Sequence, residues 1–258
     1  MRTSVRNILY FFGTLAVIAA VAVIVSVDCK SRSGFTCEGL DVRIDGDCRL
    51  VGSGDVSERI NAEYGHFIGM PADSVDAAAI ERIVDNQPAV LKSEVWKTRD
   101  GVLHVKIAQR NPVLLLQKED IGMYVDDRGY IFPLQSAYSA TVPVVDGCIP
   151  VRFDGSYRGK AGSVEEQEWI GNVIELVTFI GASPIWSDNI LRISALRNGE
   201  LVLVPAEGRE KFLFGRPERI ADKFDRIGKY YTHIVPSREE GYYGSVSVKY
   251  DGQIICKQ

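Results

Sequence analysis

Histidine is scarce in this chain, and so are the motifs that usually announce catalysis. Only His66, His104 and His233 occur in 258 residues. None belongs to an H-E-x-x-H pair or stands at metal-ligand spacing from another, so no metal site is expected. There is no G-x-S-x-G elbow, no G-x-x-x-x-G-K-[ST] loop and no G-x-G-x-x-G loop. The five cysteines, Cys29, Cys37, Cys48, Cys148 and Cys256, include no C-x-x-C spacing, which weakens zinc and thioredoxin-like readings. Cys148, between Gly147 and Ile149, is a conceivable nucleophile only if the fold brings a base beside it. No basic stripe is visible: 30 Lys and Arg face 34 Asp and Glu, for a net charge of −4, which argues against nucleic acid as a partner. Trp169, Phe212 and Phe214 read as core, because a cofactor site needs convergent polar groups. The expectation is therefore a non-enzyme with no catalytic residue, no cofactor and no small-molecule substrate.

Charge is missing altogether from Ile8 to Val27. Twenty residues rising 1.5 Å each make about 30 Å, the thickness of a bilayer's hydrocarbon core. A soluble helix of that length shows a polar face, and this stretch has none. A cleaved signal peptide is the alternative, but its apolar region is only about 7–15 residues long and ends at a small-x-small site. Here the run is longer and ends in Val25-Ser26-Val27-Asp28, so a retained anchor is expected. Lys and Arg number two on each side, a weak orientation signal. The short head before the anchor holds no domain, so the bulk is expected outside the cytoplasm. An export compartment permits disulfides. Cys37 and Cys48 flank an expected strand, and free thiols are the equal alternative for every cysteine.

Beyond the anchor, Leu40 to Gly46 alternates apolar and polar residues into a turn, a half-buried strand. Ser53-Gly54-Asp55 offers caps for a helix with Val56, Ile60 and Tyr64 on one side. Asp73 or Ser74 caps a second, with Ala77, Ile80, Ile83 and Val84 inward and Pro88 beyond its end. Val90–Lys97 and Val102–Gln109 flank an Asp100-Gly101 turn, a strong hairpin signal. Residues 40–110 thus read β-α-α-β-β, a small sheet with two helices on one face, and Pro112 marks the boundary.

The remainder is rich in strands. Val113–Gln117, Gly122–Val125, Tyr130–Pro133 and Val142–Gly147 come first. Asp126-Asp127 is read as part of a turn with Gly129 rather than as a metal-binding carboxylate pair. After a glycine-rich connector, Ser163 caps a helix that ends at Gly181. Ile190–Leu196 and Leu201–Val204 make a hairpin, followed by Phe212–Phe214. A helix begins at Pro217, with Ile220, Phe224, Ile227 and Tyr231 buried. Val246, Val248, Tyr250 and Ile254 alternate with Ser247, Lys249 and Gln253 in a final strand. An open edge there would present unpaired N–H and C=O groups to another chain's strand. Lys249 gives the opposing reading, an edge blunted against pairing.

Four stretches carry a resemblance: Gln109-Arg110-Asn111-Pro112-Val113, Val125 to Pro133, Lys223-Phe224-Asp225-Arg226-Ile227, and Val246 to Gly252. Their order and spacing make nearly the whole chain resemble the FtsQ/DivIB cell-division proteins. The resemblance implies an α+β chain: a cytoplasmic head over residues 1–7, a single transmembrane helix over 8–27 and a tether over 28–38. A POTRA domain over 39–111 and a mixed β domain over 112–258, with flanking helices and a C-terminal edge strand, would follow. It implies a divisome scaffold in the bacterial inner membrane at the septum, with its bulk periplasmic. FtsB-like and FtsL-like bitopic proteins are the implied partners. Strand addition at the C-terminal edge would use Tyr250, Asp251, Gly252, Gln253 and Ile254, with Ser247 and Lys249 of the same strand. Two other readings stay open, a POTRA-bearing component of an envelope secretion or assembly system and an anchored envelope enzyme.

Overall fold

The computed structural model describes residues 18, 21, 35–46, 50–135, 138–207, 209–238 and 242–258. Apart from Ile18 and Val21, the expected head and anchor lie outside the described residues, as do Cys29, Cys48 and the tether before Phe35. Among the described residues no helix is long and apolar enough to cross a membrane. Contacts divide the chain into two units. One holds residues up to Asp45 with Gly52–Ala108, and the other holds Gly46–Val51 with Gln109–Gln258.

In the first unit the chain runs β1 (Gly39–Asp45), α1 (Ser53–Glu63), α2 (Ala77–Asp85), β2 (Val90–Lys97) and β3 (Val102–Gln109). The strands lie in the order β1-β3-β2, with β1 parallel to β3 and Leu40 opposite Leu103. Two helices between β1 and the hairpin make that parallel pairing possible, since parallel neighbours need a long crossover. Leu103, Val105 and Ile107 point to one face of β3 and are buried with Val56 and Ile60 of α1 and Ile80 and Val84 of α2. The helix spacing of four and the strand spacing of two bring these positions together. The caps differ from expectation. α1 follows Gly52 and has no side-chain cap, so Ser53 is already helical. Asp73 and Ser74 lie in a short 3-10 turn, and it is Asp76 that caps α2, accepting a bond from Ala79 N–H at 3.1 Å. The 3-10 turn after Pro71 takes up the residues that the sequence offered as caps.

The second unit holds one ten-stranded sheet. Its strands are β4 (Pro112–Lys118), β5 (Ile121–Asp126), β6 (Tyr130–Pro133), β7 (Val144–Gly147), β8 (Gly159–Lys160), β9 (Ile190–Ala195), β10 (Leu201–Pro205), β11 (Lys211–Gly215), β12 (Ser245–Ser247) and β13 (Ile255–Lys257). They lie in the order β13-β12-β11-β10-β9-β7-β4-β5-β6-β8. Two helices, α3 (Val164–Ala182) and α4 (Ile220–Lys229), share its core. Ile170, Val173 and Val177 of α3 pack with Leu114 and Leu116 of β4, Phe212 and Phe214 of β11, and Phe224 and Ile227 of α4. Ser163 caps α3 by accepting from Glu166 N–H at 3.2 Å, and the Glu166 carboxylate reaches back to Gly162 N–H at 3.1 Å. Trp169 is core, and its indole N–H donates to Gly199 carbonyl at 2.9 Å.

Asp126 sits at a buried corner of this sheet. It accepts from Arg128 N–H at 3.0 Å, Tyr130 N–H at 2.8 Å and Arg110 Nη1 at 2.9 Å. The Arg110 guanidinium also lies 3.5 Å over the Tyr130 ring. Gly129 takes φ +75°, which closes the turn. Asp126 is thus a turn and ion-pair residue, as its neighbours in sequence suggest. The Gln109 side-chain oxygen accepts from Leu50 and Val51 N–H at 2.8 and 3.0 Å.

Candidate functional site

The final alternating stretch is two strands, not one. Ser245–Ser247 forms β12, parallel to β11 on one side and antiparallel to β13 on the other. Val248 N–H still donates to Leu213 carbonyl at 3.1 Å, and the chain then turns at Tyr250–Gln253, where Gly252 takes φ +63°. It returns as β13, the outermost strand of the sheet. Asp251-Gly252 is a turn signal buried inside an apolar-polar alternation. The alternation continues across the turn because Ile254 also faces the core.

This correction redistributes the residues expected to meet a partner. Ser247 lies on an inner strand between Leu213 and Ile255, and its buried hydroxyl has no hydrogen-bond partner. Lys249 is half-buried, with Nζ 3.4 Å from both Glu200 carboxylate oxygens and 5.0 Å from the Tyr250 ring centre. Contact with Tyr250 and the charge of Glu200 raise its pKa above the ordinary lysine value. Tyr250 is 49 % exposed. Asp251 pairs with Arg219, while Gly252 and Gln253 are exposed at the turn. Lys249 to Ile254 therefore form a lip beside the open strand. The strand itself is Ile255–Lys257, whose residues the alternation did not single out.

Helix α4 holds the lip from below with cations. Arg219 precedes the helix in the left-handed conformation, φ 51° and ψ 49°, and ion-pairs with Asp251 and Asp222. Such a conformation is uncommon without glycine and needs contacts to fix it. Lys223 is only 4 % exposed, and its ammonium donates to Arg216 carbonyl and lies 4.7 Å over the Phe214 ring. Burial lowers its pKa to about 8. Arg226 is 8 % exposed, and its Nε donates to Val248 carbonyl at 3.1 Å while Nη2 is buried without a partner. Lys223 and Arg226 were missed as buried groups. The signal was available, since Lys223 lies three residues after Ile220 on the apolar stripe. Between α4 and the lip is a cavity of ≈ 430 Å³ lined by Glu200, Glu218, Arg219, Lys223, Lys249 and Tyr250, among others.

His104 is hydrogen-bonded to Asp41 at 2.9 Å and Thr98 at 3.2 Å and stacks on Trp96, joining three strands of the first unit. His233 Nδ1 meets its neighbour Thr232 at 2.6 Å. Cys148 is an exposed free thiol, and Cys37 and Cys256 are also free. Among the described residues no group of three or more His, Cys, Asp and Glu side chains is placed to hold a metal.

The first unit is a small sheet with two helices, and the second is a ten-stranded sheet that ends at β13. A family model described as FtsQ/DivIB, C-terminal related, matches residues 111–257, and a POTRA-like domain model matches residues 35–108. The chain belongs to the FtsQ/DivIB C-terminal related family, a family of non-enzymatic cell-division proteins. No curated protein matches the chain.

Proposed function

We propose that this chain is a membrane-anchored scaffold of the division machinery that captures a partner by adding its strand to β13. The anchor is residues 8–27, the tether 28–38, and the periplasmic modules 39–111 and 112–258. The partners are FtsB-like and FtsL-like single-pass division proteins at the septum. One observation carries the reading: among the described residues β13 ends a ten-stranded sheet, with β12 paired on one side and no strand on the other. A strand laid there gains main-chain hydrogen bonds, and the lip of Lys249, Tyr250, Asp251, Gly252, Gln253 and Ile254 supplies side-chain contacts. Ser247 acts from behind, as part of the strand that holds β13 in place.

A pair of proline variants tests this. Successive N–H groups of a strand point to opposite edges, so Ile255→Pro and Cys256→Pro remove one group aimed at β12 and one aimed outward. The variant that loses the outward group is expected to abolish co-purification of the FtsB-like partner with little change in melting. Retention of the partner by both variants would falsify strand addition at this edge. Deleting residues 245–258 is expected to give filamentous cells; outer-membrane defects with normal septation would favour an assembly role instead.

A further inference from the structure

Three large apolar side chains of the first unit stand open to solvent along one short stretch of paired backbone. Phe35, Ile68 and Met70 are 42, 36 and 39 % exposed. A short antiparallel ladder gathers them. Thr36 pairs with Pro71, Ala72 N–H donates to Phe35 carbonyl at 2.7 Å, and Cys37 N–H donates to Met70 carbonyl at 2.8 Å. Phe35 is therefore opposite Ala72 and Cys37 opposite Met70, which sets Phe35 and Met70 on one face as diagonal neighbours about the buried Cys37. Gly69, at φ +85°, stands between Ile68 and Met70, and its N–H donates to Cys37 carbonyl at 2.7 Å, which ties the exposed Ile68 to the same ladder by one intervening residue. The charges nearby are mixed. Lys97 is tied to Ala72 and Val75 carbonyls, Arg99 is exposed, and Glu38, Asp73 and Asp100 oppose them. Net charge thus gives the patch no means of attracting an occupant.

The course of the chain identifies the occupant. Phe35 lies eight residues beyond Val27, the end of the uncharged run. Eight residues of extended chain span at most about 28 Å, so the patch is confined close to the membrane surface if that run spans it. Confinement of this kind turns a weak apolar contact into a persistent one, because the effective concentration of the surface is high. We propose that Phe35, Ile68 and Met70 dip into the boundary between headgroups and acyl chains of the bilayer that holds the anchor. The inference rests on the anchored reading given above.

Methionine supplies the probe. The chain has three, Met1, Met70 and Met123, and Met123 is fully buried. The full chain is placed in nanodiscs of phosphatidylethanolamine and phosphatidylglycerol, one chain per disc, with isotope-labelled methionine methyl groups. A nitroxide-labelled lipid is expected to remove most of the Met70 methyl signal and leave that of Met123 intact. Phe35→Ser with Ile68→Ser should restore the Met70 signal, and an unchanged Met123 signal shows that the variant is folded. A chain that alkaline carbonate strips from vesicles overturns the anchor and the patch with it. A chain that stays in the membrane, but whose Met70 signal persists like that of Met123, overturns the patch alone.

Discussion

At the beginning of the larger sheet a buried carboxylate meets a guanidinium, whereas at its end two buried cations bond carbonyl oxygens, one of them over an aromatic ring. Asp126 has Arg110 and two backbone N–H groups, so its charge and its lone pairs are satisfied together. Lys223 and Arg226 bond Arg216 and Val248 carbonyls, and each site keeps one buried guanidinium nitrogen without a partner, Arg110 Nε at the first and Arg226 Nη2 at the second. Burial is costly to a charge without a close ion-pair partner, and it lowers the Lys223 pKa in spite of the charges of Glu218 and Glu200. The first arrangement fixes a corner. The second holds the last strands through weaker bonds, beside the edge where a partner is proposed to bind.

This contrast sets the order of expected effects. Asp126→Ala leaves the half-buried Arg110 without its carboxylate, which costs about 3 kcal/mol. Melting should fall by about 6–12 °C, at about 2–4 °C per kcal/mol in a unit of this size. A calorimetric shift below that of Arg226→Met would reverse the assignment of the stronger corner. Arg226→Met removes one bond to Val248 but also an unsatisfied donor, so the net loss should stay near about 1 kcal/mol. Its signature is local: faster amide exchange across residues 245–257, with the Asp126 turn unaffected.

Lys223 offers a sharper test through pH. Its folded pKa, about 8, lies below its unfolded value, so the unfolded chain binds more protons between the two. The burial penalty is complete below pH 8 and is relieved as pH rises toward the unfolded lysine value, about 10.4. Relative to Lys223→Met, the native chain should therefore gain stability across that window in a series of denaturant titrations. A flat difference would show that the ammonium is solvated. The smallest effect on folding is expected from Tyr250→Ala, within about 0.5 kcal/mol for an exposed side chain. Its partner affinity should nevertheless drop, and unchanged binding in a titration would remove Tyr250 from the lip.

Much of the scaffold was legible because local chemistry and tertiary packing agree there. The hairpin at Asp100-Gly101 and the cap at Ser163 each follow from a side chain acting on its own neighbourhood. The last strands were harder to read. Alternation from Val246 to Ile254 fits one strand as well as two, because the residues before and after the turn both send apolar groups to the same core. That an edge would be open was a matter of strand order, which no local pattern encodes. The two buried cations were hidden for a similar reason, since only the fold shows that carbonyls of residues 216 and 248 come within their reach.

Amide hydrogen exchange of the full chain, with and without the FtsB-like partner, tests strand capture most directly. New protection centred on Ile255–Lys257, with β2 and β8 unchanged, is the predicted result. Protection that appears at β2 or β8 while Ile255–Lys257 exchange at their free rate would contradict it.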